Sequence, residues 1–228
     1  MTISVRSSSK NSANSGTAIT VAAPAGTDTG DVVVVVIHGN GETSFVDNNG
    51  ATPFTENLAD YTTGGTTISV FSRRIQAGDP ATYAFTLGAS NRWSIVAVAL
   101  QNPHDTDVYD IAPAEGNTYV GSGAGTMVDF LSITTLTDNA IHLVACCVDS
   151  GTAGVSATPA GYTHLQTTTA GQQVVSVCYK SIAATGATGT GTFTLDTDSV
   201  DRITLSFAIK SSTGGGGTTY YSTLDGTL

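Results

Sequence analysis

Positive charge is scarce in this chain: 8 Lys and Arg stand against 18 Asp and Glu in 228 residues, a formal net charge of −10. Nucleic acid is gripped first through its phosphates by clustered Lys and Arg, and no such cluster occurs, so no nucleic-acid partner is expected. Cysteine is nearly absent too. The three present, Cys146, Cys147 and Cys178, form no Cys-x-x-Cys spacing, so neither a disulfide framework nor a zinc site is expected. They read as small buried thiols of a protein made in a reducing cytoplasm. Long apolar runs are missing. No segment reaches membrane-spanning length, and "MTISVRSSSK" lacks the apolar stretch of a signal peptide, so no membrane partner and no conventional export are expected. Leu, Lys and Glu are scattered while Gly numbers 26, which disfavours long helices.

What the chain does have suits pleated sheets. Hydrophobic residues make up 40% and charged ones only 11%, which predicts a sizeable core beneath a surface of Thr, Ser, Asn and Gly. Tyr83, Phe85 and Leu87 alternate with Ala84 and Thr86. Ile203, Leu205, Phe207 and Ile209 alternate with Thr204, Ser206, Ala208 and Lys210. Residues 32–37 are apolar throughout, the pattern of a central strand covered on both faces.

The same order of segments comes round twice. "GGTTISVFSRRI" (64–75) matches "AGQQVVSVCYKSI" (170–182), "TYAFTLG" (82–88) matches "GTFTLD" (191–196), and "RWSIVAVAL" (92–100) matches "RITLSFAI" (202–209). Ala51-Thr52-Pro53 is echoed by Ala157-Thr158-Pro159, and the offset stays between 106 and 110 residues. We infer an internal duplication of about 107 residues, with halves at about 17–103 and 123–211. Long strands are expected at 31–38, 66–74, 82–88 and 93–101, then at 139–148, 174–182, 190–196 and 202–210, with shorter ones near 19–21 and 127–133. Two sets of four predict an all-β fold over residues 1–211, a jelly-roll-like, two-sheet antiparallel β-sandwich closed over a common apolar interior. Two tandem sandwiches are the alternative, weighed down by the thin core each would have alone. Residues 212–228 read as a Gly-rich hinge (Gly214 to Gly217) and a C-terminal arm carrying Tyr220, Tyr221, Leu224 and Leu228. That arm is either an unstructured end or a segment that docks on a neighbouring chain.

Candidate chemistry is thin. "DVVVVVIHGNGE" (31–42) resembles the strand and oxyanion turn of an α/β-hydrolase, but that fold requires a Gly-x-Ser-x-Gly elbow, and none occurs. His38 therefore reads as a strand-end residue before a Gly-rich loop. "DTDVYD" (105–110) and "DTDSVD" (196–201) place carboxylates at spacings that suit a hard cation such as Ca²⁺, without the glycine of an EF-hand loop, so turn aspartates are the expectation. "GSGAG" (121–125) lacks the third glycine of a dinucleotide fingerprint, and "GGGG" lacks the Lys of a P-loop. The histidines, at 38, 104, 142 and 164, show no ligand spacing. Arg73 and Lys180 occupy matching positions, each two residues after Phe71 or Cys178, and that face reads either as a contact patch or as a second core layer. No catalytic, cofactor-binding or metal-binding residue is nominated, and the chain is not expected to be an enzyme.

The Gly-Asp start of an apolar strand, the Thr-Pro turn, "TISVFSRRIQAGDPATYAFTL" and then "RWSIVAVAL" together resemble β-sandwich proteins of tailed bacteriophages and prophages. The resemblance covers about residues 17–211 and is strongest at 66–101. It implies a virion structural protein, a capsid decoration or cement protein, with the major capsid protein as partner, often as a homotrimer, made in the host cytoplasm and carried in the virion. The competing reading is a tail-fibre or lectin-like module for cell-surface glycans, since jelly rolls host such sites. Tyr61, Tyr109, Tyr119 and Tyr162 are its candidate contacts.

Overall fold

A computed structural model describes residues 2–41, 44–63, 65–121, 125–149, 154–170, 173–198 and 201–212. The hinge and arm expected at 213–228 lie outside the described residues. The first part of the chain forms β1 (Ser4–Ala13), β2 (Ala18–Ala22), β3 (Val32–Asn40), β4 (Phe45–Asp47), β5 (Thr55–Thr63), β6 (Thr66–Arg74), β7 (Thr82–Leu87) and β8 (Trp93–Gln101). The connection carries β9 (Tyr109–Ile111), a single 3₁₀ turn (Glu115–Asn117) and β10 (Thr118–Gly121). The second part follows with β11 (Met127–Phe130), β12 (Thr134–Thr135), β13 (Ala140–Asp149), β14 (Val155–Ala157), β15 (Thr163–Ala170), β16 (Gln173–Ile182), β17 (Gly186–Ala187), β18 (Gly191–Leu195) and β19 (Asp201–Ile209). The fold is an all-β antiparallel sandwich.

The strand order repeats between the two parts. One large sheet runs β1-β8-β3-β6-β5 and the other β10-β19-β13-β16-β15, with β9 beside β10 on β19. Two small sheets run β2-β7-β4 and β11-β18-β14, and β12 pairs with β17. Val35 pairs with Phe71 on one side and Ala97 on the other. Val144 sits likewise between Cys178 and Ser206.

Four layers result, where the sequence reading expected two sheets. The large sheets pack face to face over one core that draws Val34, Val36, Val70 and Val98 from the first part and Leu143, Val177, Leu205 and Phe207 from the second. On its outer face each large sheet carries a small one. Ile19, Val33, Val35, Phe71 and Phe85 fill the first outer core, and Val128, Phe130, Val144, Cys146 and Phe193 the second. The reason is period two: Val32, Val34 and Val36 face the inner core while Val33, Val35 and Ile37 face outward. A strand apolar on both faces needs cover on both, and a two-sheet sandwich covers only one. The common interior expected from the sequence is therefore the middle of three cores.

Several strands carry no apolar alternation. β1, "SVRSSSKNSA", works through its polar side chains: Ser7, Ser9 and Asn11 donate to the carbonyls of Ala25, Ala22 and Thr20 beside and along β2. On its other face Lys10 and Ser12 donate to the carbonyls of Thr167 and Thr169 on β15, at 2.6 and 3.0 Å. Sheet edges present unpaired main-chain groups that invite another strand, and these bonds close two such edges against each other. β5 is blunted in a different way, by register shifts around Leu58 and by Asp60 at φ 31°.

Candidate functional site

The sequence-nominated residues are mostly absorbed by the fold. His38 lies on β3 between the large sheets, fully buried, its Nε2 hydrogen-bonded with Thr66 Oγ1 at 2.9 Å. Burial pushes its pKa down to about 3, against a smaller opposing pull from the Val174 backbone, so it stays neutral. His142 is buried under the second small sheet. Its Nδ1 meets Tyr162 Oη at 2.8 Å and the ring stands edge-on to Phe130. Burial, then the charge of Lys180, lowers it to about 4. His104 accepts from the Asp107 amide, and His164 pairs with Thr167. The four rings occupy separate places.

Arg73 and Phe71 belong to the second core layer, not to a contact patch, being 7% and 2% exposed. The Arg73 guanidinium lies 5.5 Å from the Phe54 ring centre and 5.9 Å from that of Tyr83, and it pairs with Asp79. Burial works to raise the Asp79 pKa, but the hydrogen bonds from Arg73 and the Gln76 amide outweigh it and hold the carboxyl low. Lys180 repeats the theme more weakly, 5.6 Å from the Tyr162 ring centre. Cys146 and Cys147 face opposite cores, as adjacent strand residues must. Burial raises all three thiols, that of Cys178 to about 12.

The acidic loops diverge. Asp110 accepts from the Leu136 amide and the Thr137 hydroxyl, both at 2.7 Å, whereas Asp107 pairs with Lys210 at 3.1 Å. Asp196 accepts from the Gly154 amide, and Ser199 and Val200 of its loop lie outside the described residues. Among the described residues, no three His, Cys, Asp or Glu side chains gather around a point that could hold a metal ion. The tyrosines do not converge. Tyr109 donates to Asn57 at 2.9 Å and packs on Phe207, Tyr162 joins His142 and Phe130, Tyr61 lies against the inner core, and Tyr119 alone is exposed. A polar cleft of about 400 Å³ is lined by Arg6, Asp28, Asp31, Arg74, Asn102 and Asp105. Its arginines are spent internally, Arg6 on Asp31 and Arg74 on the carbonyls of Gly30 and His104. No protein-family model matches the chain, and no curated protein matches it.

What the sequence reading missed is a surface. Large apolar side chains exposed among the described residues are Val46 in the first part, Tyr119 and Val120 in the connection, and Met127 and Leu136 in the second part. Tyr119 and Val120 are each 37% exposed on β10, and Met127, 65% exposed, begins the adjoining β11. Leu136, 69% exposed, is tied through its amide to Asp110 on β9 of the same sheet edge. The two parts differ here for a local reason. In the first, β1 caps the free carbonyls of β2. In the second, β19 caps those of β11: Arg202 donates to Gly125 and Met127, Thr204 to Asp129 and Ser206 to Leu131, at 2.6–2.9 Å. β10 is thereby released from that duty, and Tyr119 and Val120, on its two opposite faces, are each left partly exposed.

Proposed function

We propose that the protein is a non-enzymatic structural component of a bacteriophage particle, a decoration or cement protein that binds the outer face of the head and stabilises it. Its partner is the major capsid protein, its working form a homotrimer, and its place the assembled virion. A duplication of one ancestral unit accounts for both the repeated text and the repeated strand order. The observation that carries this reading is a stack of four sheets whose histidines His38 and His142, thiols and Arg73 are consumed by internal packing, while among the described residues the large exposed apolar side chains other than Val46 lie on or near β9, β10 and β11. Shallow identical contacts of that kind gain strength when copies are held on a lattice. A net charge of −10 favours solubility of free copies before assembly. The test is to mix purified protein with assembled heads that lack it. Saturable binding at symmetry-related positions, and a rise in the temperature at which heads release their contents, are expected. No binding, together with absence of the chain from virions by mass spectrometry, overturns the proposal.

A further inference from the structure

We propose that Asn49 is a deamidation-sensitive latch. Its side-chain amide pins the turn at 48–52 to β7, and conversion of that amide to a carboxylate releases the turn irreversibly. The inference goes beyond the capsid role and does not depend on it. β4 pairs with β7 from Phe45 opposite Leu87 to Asp47 opposite Phe85. There the chain turns, with Gly50 at φ 61° and the Thr52 amide bonded to the Asn49 carbonyl at 3.3 Å. The Asn48 amide still donates to the Ala84 carbonyl at 3.0 Å, and from that point the Asn49 side chain continues the ladder. Its Oδ1 accepts from the Ala84 amide and its Nδ2 donates to the Ala84 carbonyl, both at 3.0 Å. Nδ2 also donates to Asp47 Oδ1. A carboxamide offers donor and acceptor side by side, whereas a carboxylate offers no donor. The turn seats more than itself. The Thr52 carbonyl accepts from Arg73, and Phe54 stands edge-on to Tyr83 with ring centres 5.0 Å apart and the Arg73 guanidinium over it.

The chemistry follows from the next residue. Gly50 is exposed and has no Cβ, which leaves its amide nitrogen free to approach the Asn49 side chain. That nitrogen, its proton passed to solvent, bonds to Asn49 Cγ and closes a five-membered imide. The Cγ–Nδ2 bond breaks, and Nδ2 takes one proton from solvent and leaves as ammonia. Water then opens the ring at either carbonyl, giving aspartate or isoaspartate. In the folded chain Ala84 holds both polar atoms of the Asn49 amide, so the reaction proceeds from openings in which the turn has left β7. Afterwards a carboxylate faces the Ala84 carbonyl and Asp47, and the donor that satisfied both is gone. The chain's other Asn-Gly pair, Asn40-Gly41, lies at the end of β3, where the Gly41 amide donates to the Gly65 carbonyl at 2.6 Å.

The test has two arms. In the first, the unmodified full chain is incubated at neutral pH, folded and in concentrated urea. Conversion at Asn49 is followed by peptide mass spectrometry and resolved from conversion at Asn40 by fragmentation. It is expected to run at least about tenfold slower in the folded chain. Equal or faster conversion there overturns the proposal, because the amide is then not held. The second arm is amide hydrogen exchange on Asn49→Asp, which carries the product's charge, and on Asn49→Ala, which removes the bonds without adding charge. The Ala84 amide is expected to exchange about tenfold faster in each than in the parent, with Val96 and Val98 of β8 unchanged. Exchange at Ala84 as slow as in the parent, in either variant, overturns the latch. The first arm needs no substitution, and Asn49→Ala decides the second should Asn49→Asp fail to fold.

Discussion

His38 and His142 sit in different cores and share one consequence. Their folded pKa values, about 3 and about 4, lie below the ordinary 6.5. As pH falls below 6.5 the unfolded chain takes up protons first, so stability is lost progressively down to those values. Each histidine contributes a slope of about 1.4 kcal/mol per pH unit in its window. Glu56 and Asp149 act in the opposite sense, since burial raises both carboxyls. Urea denaturation between pH 7 and 5 is therefore best read as the difference between the parent and His142→Phe, whose slope toward pH 5 is expected to be smaller by about 1.4 kcal/mol per pH unit. Asp79, held low by Arg73, adds a further loss only below its ordinary 3.8. The thiols give a second residue-scale prediction. A disulfide reagent should label none of the 3 cysteines in the native protein and all of them in guanidinium, because each is buried with its pKa raised.

Among the elements, the edge strands differ most from what their composition suggests. β1, β5 and β15 are absent from the strands expected from sequence, because apolar alternation reports a buried face and these strands hold their places through hydroxyls and amides. Their stability should respond accordingly. Ser9→Ala and Asn11→Ala on β1, and Ser206→Ala on β19, each remove one donor to a carbonyl and should each cost about 1 kcal/mol by chemical denaturation. The strands legible from sequence, β3, β7 and β19 among them, have apolar residues buried at period two or on both faces. Even there the polar face of β19 was only half legible. Thr204 and Ser206 alternate as solvent residues would, yet both are buried and bonded to the backbone under β11.

For the molecule as a whole, the inner core binds the two parts into one cooperative unit. Phe207 lies there, fully buried, and Phe207→Ala should cost about 3–5 kcal/mol. The loss should appear as a shift of a single unfolding transition, with tryptophan fluorescence from Trp93 in the first part moving in step with circular dichroism. Two transitions, only one of them moved, would contradict this. Cleavage within 102–125 is likewise expected to leave no pair of independently stable fragments, since each large sheet would bare its inner face.

Sequence by itself determined that the chain folds as antiparallel sheets, which apolar strands it uses and that Cys146 and Cys147 part company, because side-chain alternation is a local property of the backbone. It also exposed the recurrence of segments that the strand order follows. Only the tertiary structure decided that four sheets stack instead of two and that Arg73 joins a core. It alone left Tyr119, Val120 and Met127 exposed while Ser9 and Asn11 bonded to the backbone along β2. Those outcomes depend on which faces meet across more than a hundred residues, and no window along the chain carries that information.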